Sequence, residues 1–85
     1  MKLEIAKSAF KALDGLQPKL RAAMYAELVR LAAAPYGNHP NAKRLKGADD
    51  MFRLRHGDWR ILYSLDRESD TLRVAAIETR GGIYK

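Results

Sequence analysis

The run Met51-Phe52-Arg53-Leu54-Arg55-His56-Gly57-Asp58-Trp59-Arg60-Ile61-Leu62-Tyr63-Ser64-Leu65 alternates apolar and polar side chains on both sides of Gly57-Asp58. A period of two is the signature of a half-buried strand, and a Gly-Asp pair between two such runs is a two-residue hairpin turn. If that pair is the whole loop, Leu54 lies opposite Ile61 and Phe52 opposite Tyr63, which makes one face apolar. Trp59 falls on that side too, as a core or rim residue. The other face sets Arg55 directly opposite Arg60, with Arg53 two residues further along. Like charges directly across a strand pair are unfavourable. Such a face is costlier than it needs to be unless an anion binds there, and planar guanidinium groups grip phosphate oxygens bidentately. The plainer alternative is a solvent face on which arginines give solubility.

Working outward, Asp66 to Asp70 reads as a second turn and Thr71 to Glu78 as the last strand, followed by a flexible exit at Arg80-Gly81-Gly82. Upstream, Leu3 and Ile5 alternate with Lys2 and Glu4 in a short strand. Ser8 is the expected N-cap of a helix running to Asp14, with Phe10 and Leu13 on one side and Gly15 closing it. Pro18 suits the first turn of a second helix. Leu20, Met24, Leu28 and Leu31 recur at helical spacing, with Lys19, Arg21, Glu27 and Arg30 placed on the wet side. Ala32 to Ala34 and Pro35 end that helix. Residues 35–50 hold Pro35, Asn38, Pro40, Asn41 and Gly47 and read as a loop, made basic by Lys43, Arg44 and Lys46. The expectation is an α+β fold in β-α-α-β-β-β order. It has one domain over residues 1–85, with an antiparallel sheet of about four strands and an N-terminal helical hairpin packed on one face.

Sixteen Lys or Arg against ten Asp or Glu give a net charge of +6 over 85 residues, with no cysteine. Excess positive charge points to a polyanionic partner. The absence of thiols excludes disulfides, iron–sulfur clusters and thiolate zinc sites. His39 and His56 lie in unlike contexts, so neither a metal site nor a Ser-His-Asp arrangement is supported. His56 reads as a surface residue, because nothing nearby in sequence would orient its ring. Asp49-Asp50 reads as turn and cap chemistry. No glycine-rich phosphate loop precedes a helix, which argues against a nucleotide-binding enzyme. No metal and no cofactor are expected. No apolar run approaches the ~20 residues of a membrane span. The N-terminus carries Glu4 where a signal peptide would be apolar, so a cytoplasmic location is expected.

Lys43-Arg44-Leu45-Lys46-Gly47, followed by Met51 to Tyr63, resembles the "K-L-K-G … (Y/F)-R-(L/I)-R-x-G-D-(Y/W)-R-(I/L)-(I/L)-Y" core of the RelE/ParE superfamily of bacterial toxins. The ending Ile77-Glu78-Thr79-Arg80-Gly81-Gly82-Ile83-Tyr84-Lys85 is similar to that family's closing "(I/V)-x-x-R-x-x-(V/I)-Y-(K/R)". The order of opening strand, short helix and Pro18 helix matches as well, so the resemblance spans nearly the whole chain.

The resemblance implies a bacterial or archaeal toxin of a type II toxin–antitoxin pair that cuts mRNA on the translating ribosome. Its partners would be the ribosome, mRNA and a cognate acidic antitoxin, with no membrane, and DNA would be touched only through the antitoxin complex. Carried over from the family, the active site is Arg53, Arg55, Arg60, Arg80 and Tyr84, with Lys43, Arg44 and Lys46 as RNA contacts. Some active members have lysines at the positions of Arg53 and Arg55, and His or Lys at that of Thr79. Because arginine stays protonated, the proton acceptor is left among Tyr84, Lys46 and His56. The other branch, ParE-like, shares the fold and poisons DNA gyrase without a catalytic constellation.

Overall fold

The computed structural model describes residues 1–45 and 51–79. The elements are β1 (Lys2–Ile5), α1 (Lys7–Asp14), α2 (Pro18–Ala33), β2 (Ala42–Arg44), β3 (Met51–His56), β4 (Trp59–Asp66) and β5 (Thr71–Thr79). The central hairpin has the register that its alternation predicts. Leu54 faces Ile61, Phe52 faces Tyr63 and Arg55 faces Arg60. Gly57 takes a φ of 60° at the first turn position, where a primed hairpin turn calls for glycine.

Five strands form one sheet in the order β1-β5-β4-β3-β2. Two features depart from the sequence expectation. β1 pairs with β5 in parallel, so the sheet is mixed rather than purely antiparallel; the chain passes through α1 and α2 on one face before it returns. The 35–50 region, read as loop, contributes β2. It is a three-residue edge strand antiparallel to β3, too short for alternation to reveal.

The last strand carries a bulge. Leu62 pairs with Ala76 and Tyr63 with Val74, which leaves Ala75 as an extra residue. Strict alternation would send Leu72 and Val74 inward but Ile77 outward. The extra residue restores Ile77 to the core and turns Glu78 to the open face, the re-aiming that bulges produce.

One sheet face packs on the helices. Leu54, Ile61, Tyr63, Leu65, Leu72, Val74 and Ile77 meet Ala9 and Leu13 of α1 and Met24, Leu28 and Leu31 of α2, all buried. Phe52 stacks on Tyr63 with ring centroids 5.3 Å apart, and Trp59 packs at the rim. Each fully buried large apolar side chain contributes about 1.5–3 kcal/mol relative to exposure, so this layer dominates stability. Pro18 opens α2 as expected. The expected cap at Ser8 is not made: α1 begins at Lys7 behind Ala6, with no side-chain cap. The inward pair of α1 is Ala9 and Leu13, one turn apart, which rotates Phe10 out to 49% exposure. Arg21, expected on the wet side, donates from Nη1 to the carbonyls of Asp14 at 3.1 Å and Leu16 at 3.2 Å, satisfying acceptors at the end of α1.

Candidate nucleic-acid interface

The sheet face away from the helices has two unlike ends. Toward β1, Arg73 donates from Nε to Glu4 Oε1 at 2.6 Å, and Asp66 lies on the same face. The hydrogen bond to Glu4 and that residue's charge push the Arg73 pKa up. Toward β2, cations face one another. Lys43 sits opposite Arg53 and Arg55 opposite Arg60, two cross-strand pairs of like charge. Among the described residues none of these four side chains forms an ion pair. Glu78 is the cross-strand neighbour of Arg60 on its other side, placed there by the bulge; it is exposed and, among the described residues, forms no ion pair.

Lys43, Arg53, Arg55, His56 and Gly57, with Pro40 and Asn41 from the preceding loop, line an open cleft of about 410 Å³. The cleft is held at its β2 side by backbone bonds: Arg55 N–H donates to Asn41 O at 3.0 Å and Ala42 N–H to His39 O at 2.9 Å. Arg60 lies beside the cleft on the same face, as the partner of Arg55. Arg44 lies on the other face, with its guanidinium 5.6 Å from the centroid of the Phe52 ring. Lys46, Arg80 and Tyr84 lie outside the described residues, as do Gly47, Asp49, Asp50, Gly81 and Gly82. Such a concave surface with three cations on its walls suits a phosphodiester chain, whose oxygens accept from several guanidinium groups at once.

His56 does not stand alone as its sequence context suggested. Its Nδ1 lies 3.3 Å from Glu27 Oε2 on α2, and Arg30 pairs with the other oxygen of the same carboxylate. The Glu27 side chain is only 12% exposed rather than on the wet side. The signal was present: Glu27 falls three residues after Met24 and four before Leu31, on the apolar stripe itself. An acid at such a place needs a partner. That partner comes from the hairpin turn, which no local pattern brings near α2. Among the described residues no cluster of His, Asp and Glu is arranged to hold a metal ion, and no helix is long and apolar enough to cross a membrane.

Residues 3–84 match the family model of the ParE toxin of type II toxin–antitoxin systems, parDE. Comparison with curated proteins gives no match. Several solved structures share the fold. A chain of the archaeal RelE–RelB complex from Pyrococcus horikoshii superposes with a TM-score of 0.81 at 24% identity, covering 96% of this chain and 97% of that one. A chain of the RelBE2 toxin–antitoxin complex of Mycobacterium tuberculosis gives 0.74 at 24% identity, with 93% and 96% covered. The YoeB/ParE toxin from Agrobacterium tumefaciens gives 0.79 at 15% identity, with 94% and 99% covered.

Proposed function

The chain belongs to the ParE toxin family of type II toxin–antitoxin systems, and we propose that it is an endoribonuclease that cuts mRNA on the translating ribosome until a cognate acidic antitoxin neutralises it. The observation that supports this most is the doubled like-charge pairing, Lys43 against Arg53 and Arg55 against Arg60, at an open cleft. A fold gains nothing from such juxtaposition. A bound phosphodiester turns it into attraction.

The chemistry follows from the charges. The ribose 2′-oxygen attacks its own phosphate, the O2′–P bond forms and the P–O5′ bond breaks, leaving a 2′,3′-cyclic phosphate and a 5′-hydroxyl. Negative charge grows on the non-bridging oxygens as the phosphorane forms. Arg53 and Arg55 in the cleft, with Arg60 beside them, would meet that charge in fixed positions, which is where electrostatic stabilisation acts most strongly. Lys43 would track the flanking phosphate. Arg44, over Phe52 on the other face, would meet RNA or ribosome only beyond the cleft. Arg80 and Tyr84 take their roles from the family resemblance: a further cation on the phosphate, and a ring that stacks on a base or transfers a proton. The acidic antitoxin fits the same surface, its carboxylates taking the place of phosphates.

The second reading, a ParE-like gyrase poison, draws support from the family model, which is described as that of a ParE toxin. Induction followed by mapping of mRNA 5′-ends separates the two. New ends inside translated codons are the expected result. Intact mRNA together with protein-trapped DNA breaks would replace the nuclease with the gyrase reading.

A further inference from the structure

The acid at the cationic end of the open face has no part in gripping phosphate. Glu78 is the cross-strand neighbour of Arg60, just as Glu4 is of Arg73. The two acids behave differently. Glu4 closes on Arg73 at 2.6 Å, whereas Glu78 is exposed and, among the described residues, forms no ion pair. An acid kept to neutralise its neighbour would close on it, as Glu4 does. An uncommitted carboxylate among phosphate-binding cations also weakens their pull on RNA. The bulge at Ala75 is what turns Glu78 to this face, and bulges that re-aim a side chain are over-represented beside functional sites.

Next to Glu78 the face changes character. Leu62 and Ala76 are cross-strand partners, two residues along from Arg60 and Glu78, and both are partly exposed. Arg53 borders Leu62 on the β3 side. Arg60, Glu78, Leu62 and Ala76 therefore form one block of the open face, with a cation and an acid at one edge and a low apolar floor at the other. Neighbouring strands lie roughly 4.8 Å apart. A phosphate held over β3 by Arg53 and Arg55 thus leaves its sugar and base over β4 and β5, above that floor. The flat face of a base would cover Leu62 and Ala76 and remove their apolar surface from water. Its edge would meet Glu78.

The chemistry of that edge selects the base. An ionised carboxylate only accepts, through two oxygens in one plane. Guanine presents N1–H and N2–H side by side, two parallel donors that match it. Adenine and cytosine offer an amino group beside an acceptor nitrogen, and uracil offers one N–H between two carbonyl oxygens. Each of these sets a lone pair against the carboxylate, a repulsion that discriminates as effectively as the attraction to guanine.

We propose that Leu62, Ala76 and Glu78 form a nucleobase subsite beside the phosphate cleft, and that Glu78 makes it select guanine. The inference rests on the nuclease reading and deepens it, fixing the cut at a set step from a guanine. No bond to Glu78 forms or breaks; the residue governs which site is cut.

The test is 5′-end mapping of ribosome-bound mRNA cut by the full chain, followed by rates on matched codons that carry guanine or adenine at the enriched position. Wild type should favour guanine by roughly 5- to 150-fold in kcat/KM, the discrimination of one good bidentate base contact. Glu78→Ala should bring that ratio close to unity. Glu78→Gln presents one donor and one acceptor, the pattern that suits adenine, and should turn the preference toward adenine. An acid with a purely structural role would slow both codons alike and reverse nothing. Leu62→Ser removes the floor and should raise KM on both codons with the ratio kept. A melting curve for each variant separates these effects from unfolding. Wild-type cleavage without guanine preference, or a folded Glu78→Gln protein that keeps it, would overturn the subsite and leave the nuclease standing. A wild-type protein that cuts no mRNA would remove the nuclease reading, and binding of uncleavable 2′-O-methyl oligonucleotides then decides the subsite by itself. Tighter binding of guanine oligomers, lost in Glu78→Ala, would uphold it; equal binding of guanine and adenine oligomers would overturn it.

Discussion

The open face of the sheet treats its charges in two ways. At the β1 end an arginine is matched: Arg73 pairs with Glu4, and Asp66 stands on the same face. At the β2 end Lys43, Arg53, Arg55 and Arg60 confront one another across strands, with Glu78 as the cross-strand acid beside Arg60. Both ends belong to one sheet and lie over the same core, so the fold requires neither pattern. Where charges only need to be tolerated, they are paired. On the proposed function, an anion from outside would complete those left facing each other, with the β2 end as the binding end and the β1 end as scaffold.

That contrast is broken most directly by Arg55→Ala. Arg55 is exposed and lies opposite Arg60, so its removal relieves repulsion and the fold should hold within about 0.5 kcal/mol. Cleavage should fall roughly 100- to 1,000-fold, the loss expected when one donor is removed from a preorganised anionic site. The two measurements, melting temperature and mRNA cleavage, must move independently. If the rate stayed at wild type, the facing cations would be mere surface charge.

The opposite end supplies the control. Arg73→Ala removes a matched cation, one whose Nε donates to Glu4. Cleavage should stay within the scatter of wild type, and the melting temperature should drop slightly. That drop should shrink as salt is added, because exposed pairs are weak and screened. An Arg73→Ala protein as crippled in cleavage as Arg55→Ala would erase the distinction between the two ends.

How much of this was legible follows the range of the interactions. The hairpin register, and with it the Arg55–Arg60 opposition, was readable because a two-residue turn leaves one pairing. The apolar stripe of α2 was readable from its spacing, although Leu20 is only partly buried while Met24, Leu28 and Leu31 are fully buried. The Lys43–Arg53 pair was not, because Ala42 to Arg44 become a strand only through bonds offered by β3. The bulge at Ala75 left a trace: Leu72, Val74 and Ile77 are spaced by two and then three. Glu27 and His56 meet only because the helices and hairpin fold onto each other, a distance that no periodicity measures.

The smallest effect tests the scaffold end by pH. Asp66 ends β4, and its Oδ1 accepts from Ser69 N–H at 3.3 Å and Glu68 N–H at 3.1 Å. Hydrogen bonding from Ser69 is the main reason its carboxyl sits below the usual carboxylate range; the positive charge of Arg73 adds a minor part. A group whose pKa falls on folding stabilises the native state above its unfolded value, roughly pH 4, and loses that contribution as the pH drops through its folded value. Asp66→Asn keeps an oxygen acceptor for the turn but removes the charge. Melting temperatures should therefore lie slightly below wild type at neutral pH and converge with it in acid, with cleavage at neutral pH unchanged. A gap that stayed constant down to low pH would mean that the shape of the turn, and not the carboxylate charge, is what Asp66 provides. Convergence that persists in high salt would assign the effect to the two N–H donors rather than to Arg73, since salt screens the exposed guanidinium and leaves short hydrogen bonds in place.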